Sequence, residues 1–248
     1  MKVKLFNIEI DAISMRQTLD IVEDAVANDK HIHHTVVNAG KIVLMQEDKE
    51  LEKSVNEADL INADGQAVVW ASKILGSPLP ERVSGIDLME ELVKYSFEKG
   101  YKCYFLGAEE DVLSNLITLY KQKYSDNVIA GYRNGYFKKS DEKRIAKDIS
   151  QSNANILFVA ITSPKKEIFL NTYKKELKNI NFIMGVGGSF DVIAGKVNRA
   201  PKWMQDFGFE WLYRVIQEPR RMFMRYLVGN TKFIYLVLKE CFLLNRKI

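Results

Sequence analysis

Asp64 closes a short apolar run, Leu-Ile-Asn-Ala at 60–63, and Gly65 follows at once. A carboxylate at the end of a buried strand can act as general base on a hydroxyl. The same Asp-Gly pair can also serve only as a turn or a helix cap. Asn38 ends a second apolar run, His-Thr-Val-Val at 34–37, and could hold a hydroxyl beside such a base. Arg82 stands in LPERVSG (79–85), bracketed by Pro80 and Gly85, and is the third candidate. Asp87 opens the next helical stretch, where capping is its expected work. GVGGSFD (185–191) would let backbone approach an anion and present helix N–H groups to it, with Ser189 and Asp191 as candidate caps. It lies too late in the chain to be a dinucleotide fingerprint. The sequence has no GxSxG, HExxH, GxxxxGK[ST] or DxD motif.

A different chemistry is written near the end. WLYRVIQEPRRMFMRYL (211–227) mixes large apolar residues with Arg214, Arg220, Arg221 and Arg225. Such a segment fits a surface that is both apolar and anionic, as a membrane interface is. An amphipathic helix packed on a core, or on a second copy of the chain, would carry a similar pattern. Residues 196–248 hold 11 Lys and Arg against 4 Asp and Glu, whereas the preceding 195 hold 25 against 28. The positive charge is therefore concentrated in the last fifth of the chain. That points to an anionic partner, and the acidic balance of the remainder argues against nucleic acid.

The elements that must position these groups alternate. Strands are expected at 4–10, 34–38, 59–64, 102–108, 128–132, 155–161 and 181–188. Helices are expected at 14–29, from Ala39, and at 66–75, 87–100, 110–124, 140–152 and 163–177, with Pro164 near the first turn of the last. Apolar strands between amphipathic helices indicate an α/β fold: a Rossmann-like, mostly parallel sheet with helices on both faces, followed by a basic helical C-terminal appendage. In such a sheet the rim comprises Asn38, Asp64, Gly107, Lys165, Gly187 and Gly188.

Several classes fall away. His31, His33 and His34 are bunched, with no cysteine or carboxylate at zinc-finger spacing. Cys103 and Cys241 form no disulfide framework or CxxC site. The start, MKVKLFNIEIDA, reads as a strand and not as a signal peptide. The run FIYLVLKECFLL (233–244) is interrupted by Lys239 and Glu240 and is too short to span a bilayer. A cytoplasmic protein is expected, and attachment of its basic segment to the inner face of the cell membrane is one of the readings left open above.

DLINAD-G, PLPERVSGIDLM, YFLGA, NGYF, FVAITSPKKE, GVGGSFDVIAGKVNRAP and EWLYRVIQEPRR together resemble the TagA/WecG/CpsF-type glycosyltransferases, family twenty-six, from about residue 3 to 227. The resemblance implies a Rossmann-like core over 1–195 and a membrane-associating, site-closing appendage over 196–248. It implies an inverting transfer that uses neither metal nor cofactor. A sugar, N-acetylmannosamine or a related hexose, would pass from a UDP-sugar donor to an acceptor sugar of the N-acetylglucosamine type on undecaprenyl diphosphate. The polymer served would be teichoic acid, capsule or exopolysaccharide. On this resemblance the base falls on Asp64, with Asn38 and Arg82 beside it. Substrate contacts are expected from Thr35, Gln66, Gly107, Lys165, Gly187, Gly188 and Asp191, and from Arg214, Arg221 and Arg225 of the appendage. Two departures mark this chain: Val36 where threonine is frequent, and Lys166 where glutamine is frequent. From the residues alone, a non-catalytic sugar-nucleotide-binding module at the membrane is the alternative. The oligomeric state stays open.

Overall fold

The computed structural model describes residues 1–245, and side chains through 243. Arg246 and Lys247 of the basic tail, and the Leu244 side chain of the 233–244 run, lie outside the described residues.

The chain begins with a hairpin, β1 (Lys2–Leu5) and β2 (Ile8–Asp11), paired antiparallel. Sequence reading expects one strand over 4–10. Instead Phe6 and Asn7 turn the chain at φ 50° and 66°. The turn puts Val3, Leu5, Ile8 and Ile10 on one buried face. The Asp11 carboxylate accepts the Ile61 N–H at 2.9 Å and so fastens the hairpin to the main sheet.

That sheet has, among the described residues, six parallel strands in the order β4-β3-β8-β7-β5-β6. They are β3 (Ile32–Val37), β4 (Leu60–Ala63), β5 (Cys103–Gly107), β6 (Ile129–Arg133), β7 (Ile156–Ala160) and β8 (Phe182–Gly185). Strands β4, β5, β7 and β8 are buried along their whole length, as a sheet covered on both faces requires. The helices between them are α1 (Met15–Ala27), α2 (Ala39–Glu47), α3 (Lys49–Asn56), α4 (Gln66–Ile74), α5 (Gly85–Lys99), α6 (Glu110–Lys123), α7 (Glu142–Ser150) and α8 (Lys165–Thr172). Ser14 caps α1 in a capping box with Gln17, an end signal already visible in the sequence. Helix α8 stops at Thr172, five residues short of the expected end, and its helix cap is Tyr173.

The connections create a crevice between β3 and β8. Helix α2 leaves β3 toward one face, where Ile42 and Met45 join Val37 in a core cluster. The short helix α9 (Ser189–Ile193) leaves β8 toward the other face, where Phe190 joins Phe105 and Phe182. Neighbouring parallel strands whose following helices part to opposite faces leave an opening at their carboxyl ends.

The chain ends in α10 (Lys202–Asp206), α11 (Glu210–Gln217) and α12 (Pro219–Asn245). Pro219 starts α12, where its missing N–H costs no helix bond. The 233–244 run does not lie wholly at a surface. Phe233 and Val237 are buried in the same cluster as Phe6, Ile42 and Met45, and the Phe6 and Phe233 rings meet at 5.6 Å. Ile234, Tyr235 and Leu238 on the other side are exposed. Helix α12 is thus apolar on two faces: Met222, Phe233 and Val237 point inward, and Phe223, Leu227, Ile234 and Leu238 point to solvent. Among the described residues no helix is long and apolar enough to cross a membrane.

Candidate active site

The expected rim residues stand on successive strands of the sheet. Asp64 follows β4, Asn38 follows β3, Gly187 and Gly188 follow β8, Lys165 lies beyond β7, and Gly107 ends β5.

Asp64 extends the β4 ladder by one bond, its N–H reaching Val37 O at 2.8 Å. The chain then turns at Gly65 into α4. A Cβ at Gly65 would come within 3.4 Å of the Asn38 Cβ, so glycine lets the two strand ends approach. Asn38 caps α2, accepting the Lys41 N–H on Oδ1 at 3.0 Å, and the residue as a whole is exposed. Its Nδ2 makes no hydrogen bond among the described residues and can meet a ligand. Asp64 is only partly exposed. Burial raises its carboxyl above the ordinary carboxylate range. Arg82 works against this, Glu210 adds to it, and the Gly85 N–H at the start of α5 and Arg214 work against it. A carboxylate with heightened proton affinity at a strand end is suited to accept a proton from a hydroxyl.

Arg82 is held above this carboxylate by the loop between α4 and α5, which is tied to the sheet through Val83 N–H to Ala63 O at 2.9 Å. Its guanidinium pairs with Glu210 of α11. A second tie joins appendage to core: Arg199 grips Asp87 through two bonds, 2.6 and 2.8 Å. This corrects the capping role expected of Asp87. The N-cap of α5 is Ser84, and Asp87 sits in the first turn as the anchor for Arg199.

The glycine turn is flanked by charge. Gly187 adopts φ +53°, and nothing stands within 4 Å of where its Cβ would be. Gly188, not Ser189 or Asp191, is the N-cap of α9. Ser189 instead donates its hydroxyl to Val186 O at 2.7 Å. The Asp191 carboxyl is raised by burial, against the pull of Lys196, with Glu109 raising it further and Arg221 lowering it. Lys196 pairs with Glu109, which precedes α6. Gly188, Lys196 and Arg221 thus lie near Asp191, with Lys196 held by Glu109 and Arg221 by Glu218.

The remaining expected contacts divide. Gln66 opens α4 and packs beside Gly208 of the appendage. Lys165 is exposed, its ammonium 4.8 Å from the centre of the Phe137 ring. Gly107 is buried at φ +132°; a Cβ there would lie 2.3 Å from Ala160 O, so its role is close packing of β5 on β7. Thr35 is buried within β3 and accepts from Lys41 Nζ at 3.4 Å, so it lies beneath the rim and not on it. Arg214 is exposed on α11, within electrostatic reach of Asp64. Arg221, exposed on α12, pairs with Glu218 at 2.9 Å. Arg225, one turn further, is exposed, and no contact among the described residues ties it to the rim.

Sequence reading missed a buried triad under the crevice. Lys41 Nζ and Lys166 Nζ both approach Glu167 Oε1, at 2.7 and 2.8 Å, and all three side chains are under 8% exposed. Lys41 also donates to Val36 O at 2.6 Å. Lys166 lies across Gly185, where a Cβ would come within 2.3 Å of Lys166 Cε. The available signal was a lysine amid the buried positions of α2, next to Ile42 and Val43. Two clefts of about 200 and 220 Å³ open elsewhere, between α1 and α5 and beside the hairpin, and neither touches Asp64.

The sequence profile of the glycosyl transferase WecG/TagA/CpsF family matches residues 3–247. The chain belongs to this family. Two similar proteins are each named N-acetylglucosaminyldiphosphoundecaprenol N-acetyl-beta-D-mannosaminyltransferase. The one from Bacillus spizizenii is 35% identical over 189 residues, 76% of this chain and 72% of the relative. The one from Bacillus subtilis strain 168 is 33% identical over 193 residues, 78% and 73% of the two chains. The α/β architecture is therefore that of a glycosyltransferase.

Proposed function

We propose that this glycosyltransferase moves a hexose, N-acetylmannosamine or a close relative, from a UDP-sugar to an N-acetylglucosamine-type sugar on undecaprenyl diphosphate. The observation that carries the reading is Asp64: a partly exposed carboxylate of raised proton affinity, at the end of β4 beside Asn38, next to the crevice between β3 and β8. The relatives' names supply the acceptor and sugar class. Asp64 takes the proton of the acceptor hydroxyl as its oxygen attacks the anomeric carbon. The bond to UDP breaks on the opposite side, and the configuration inverts. Asn38 orients the acceptor. The departing diphosphate gains negative charge, and Arg214 and Arg221 supply the compensating positive charge in place of a metal. The glycine turn at 187–188 receives the donor.

A UDP-sugar panel offered with a short-chain GlcNAc-diphospholipid, read by mass spectrometry, tests the reading. Transfer from a UDP-hexosamine in EDTA is expected. Binding of UDP-sugar without turnover on any lipid-linked acceptor would favour a sensing module instead.

Membrane docking follows from the same lipid-linked substrate. The outer stripe of α12, with Trp203, would enter the interface while Arg220 and Arg225 meet lipid phosphates. The cell product served would be a wall or surface polysaccharide, built at the cytoplasmic face. Deleting the appendage would expose the core around Phe6, so substitutions make the cleaner test. Serine at Phe223, Leu227, Ile234 and Leu238 is expected to reduce co-flotation with anionic vesicles at least about tenfold. Thermal stability should be retained, because Met222, Phe233 and Val237 are untouched. Undiminished flotation would remove the docking stripe.

A further inference from the structure

Asp64 is not adjusted by the catalytic core alone. The charged groups around it come from four elements. The loop before α5 brings Arg82, and the start of α5 brings the Gly85 N–H and, one turn on, Asp87, which is occupied by Arg199. Helix α2 brings Lys41, which is bound to Glu167. Helix α11 brings Glu210 and Arg214, four residues apart on one helix face. Met184 of β8, the other close neighbour of the Gly85 position, is apolar. Arg82 is the cation that acts most strongly on Asp64, and the Arg82 side chain is only 12% exposed. Its one ion pair among the described residues is with Glu210. Glu210 also acts electrostatically on Arg199, which ties the appendage to Asp87 of the core.

We propose that Glu210 is a positioning residue for transfer. By holding Arg82 it couples the seating of α11 on the core to the readiness of Asp64 to accept a proton. This rests on the glycosyltransfer reading above and deepens it. With α11 seated, the Glu210 carboxylate offsets the Arg82 charge, and Asp64 is a stronger base. With α11 lifted, Arg82 is left facing Asp64 alone and stabilises its ionised form, which weakens it as a base. The arrangement ties proton transfer to the seating of the appendage on the core. It also keeps Arg82 from pairing directly with the base, where the two would neutralise each other.

The test uses the full chain, with Glu210→Gln as the main variant and Glu210→Asp as the conservative one. kcat and kcat/KM are followed against pH with a UDP-hexosamine and a short-chain GlcNAc-diphospholipid. Glu210→Gln is expected to move the acid limb of kcat/KM down by about one pH unit and to lower kcat several-fold, with donor KM little changed. Glu210→Asp is expected to restore most of the limb. In parallel, the Asp64 side-chain carboxyl is titrated by carbon NMR in the wild type and both variants, which needs no turnover. A lower Asp64 midpoint in Glu210→Gln supports the coupling. An unmoved midpoint overturns it, as does an unmoved acid limb or a loss confined to KM. If the wild type transfers no sugar while the Asp64 midpoint still shifts, the functional reading fails and the coupling stands. Should Glu210→Gln not fold, Glu210→Asp alone decides: its longer reach to Arg82 must lower the midpoint by a smaller amount, and no change overturns the proposal.

Discussion

Replacing Asp64 with asparagine is expected to cut transfer by about 10²–10⁴-fold while leaving the fold intact. The amide keeps the shape of the side chain and can still accept the Gly85 N–H, but it cannot take a proton from the acceptor. Stability should be unchanged or slightly higher. The reason lies in the sign of the titration. Asp64 has a raised folded value, so the native state binds its proton more tightly than the unfolded chain does. Ionising the carboxylate therefore costs stability as pH rises from the ordinary aspartate range through the raised value. Asparagine removes that cost. Thermal melts at pH 7 beside turnover measurements give both numbers. Turnover within about threefold of wild type would end the role of Asp64 as base. A collapse of the melt together with activity would make it a structural group.

The second large effect is on stability. Glu167→Ala is expected to destabilise the chain by about 3–5 kcal/mol, because it leaves Lys41 and Lys166 buried without their shared carboxylate. Burial pushes the Glu167 carboxyl up, but the two ammonium groups outweigh it and hold the carboxyl at about 2. A depressed carboxylate contributes stability that is present above its ordinary value. That contribution is lost as pH falls from about 4.5 toward about 2. Lys41 moves to about 8, through burial first and repulsion from Lys166 second, against the attraction of Glu167. Two cations on one anion leave a buried surplus, and burial decides the direction at Lys41. Denaturant unfolding of Glu167→Ala, and of Glu167→Ala combined with Lys41→Met and Lys166→Gln, separates the charge effect from the cavity. The triple variant is expected to recover most of the loss. A single-variant change below about 1 kcal/mol would show that water reaches the lysines.

The frame of the site was legible because local signals agreed with one another. At 59–65 an apolar run, a carboxylate and a glycine name a strand end, and β4 and Asp64 stand there. The Ser14 cap was equally plain, since it depends on a few adjacent residues. What failed depended on distant partners. KLFNIEI alternates like one strand, and only packing against β4 bends Phe6 and Asn7 into a turn that their side chains do not advertise. Asp87 looked like a cap because its true partner, Arg199, is 112 residues away. Lys41, Lys166 and Glu167 lie on two helices more than a hundred residues apart, so their meeting is a property of the sheet order β3-β8-β7. The apolar run at 233–244 was read only as too short to span a bilayer, because hydropathy cannot tell a core-facing stripe from a lipid-facing one when a helix has both.

That last helix has a mechanical meaning. Its inner stripe rests on α2, and the first turn of α2 is fastened by Asn38. With its outer stripe docked as proposed, the rod would lean on the bilayer along one side and on α2 along the other, and would act as a lever. Lateral pressure, curvature or thickness of the host leaflet would be felt at the strand end where the acceptor is oriented. The composition of the surrounding lipid would then regulate polymer output without any dedicated effector.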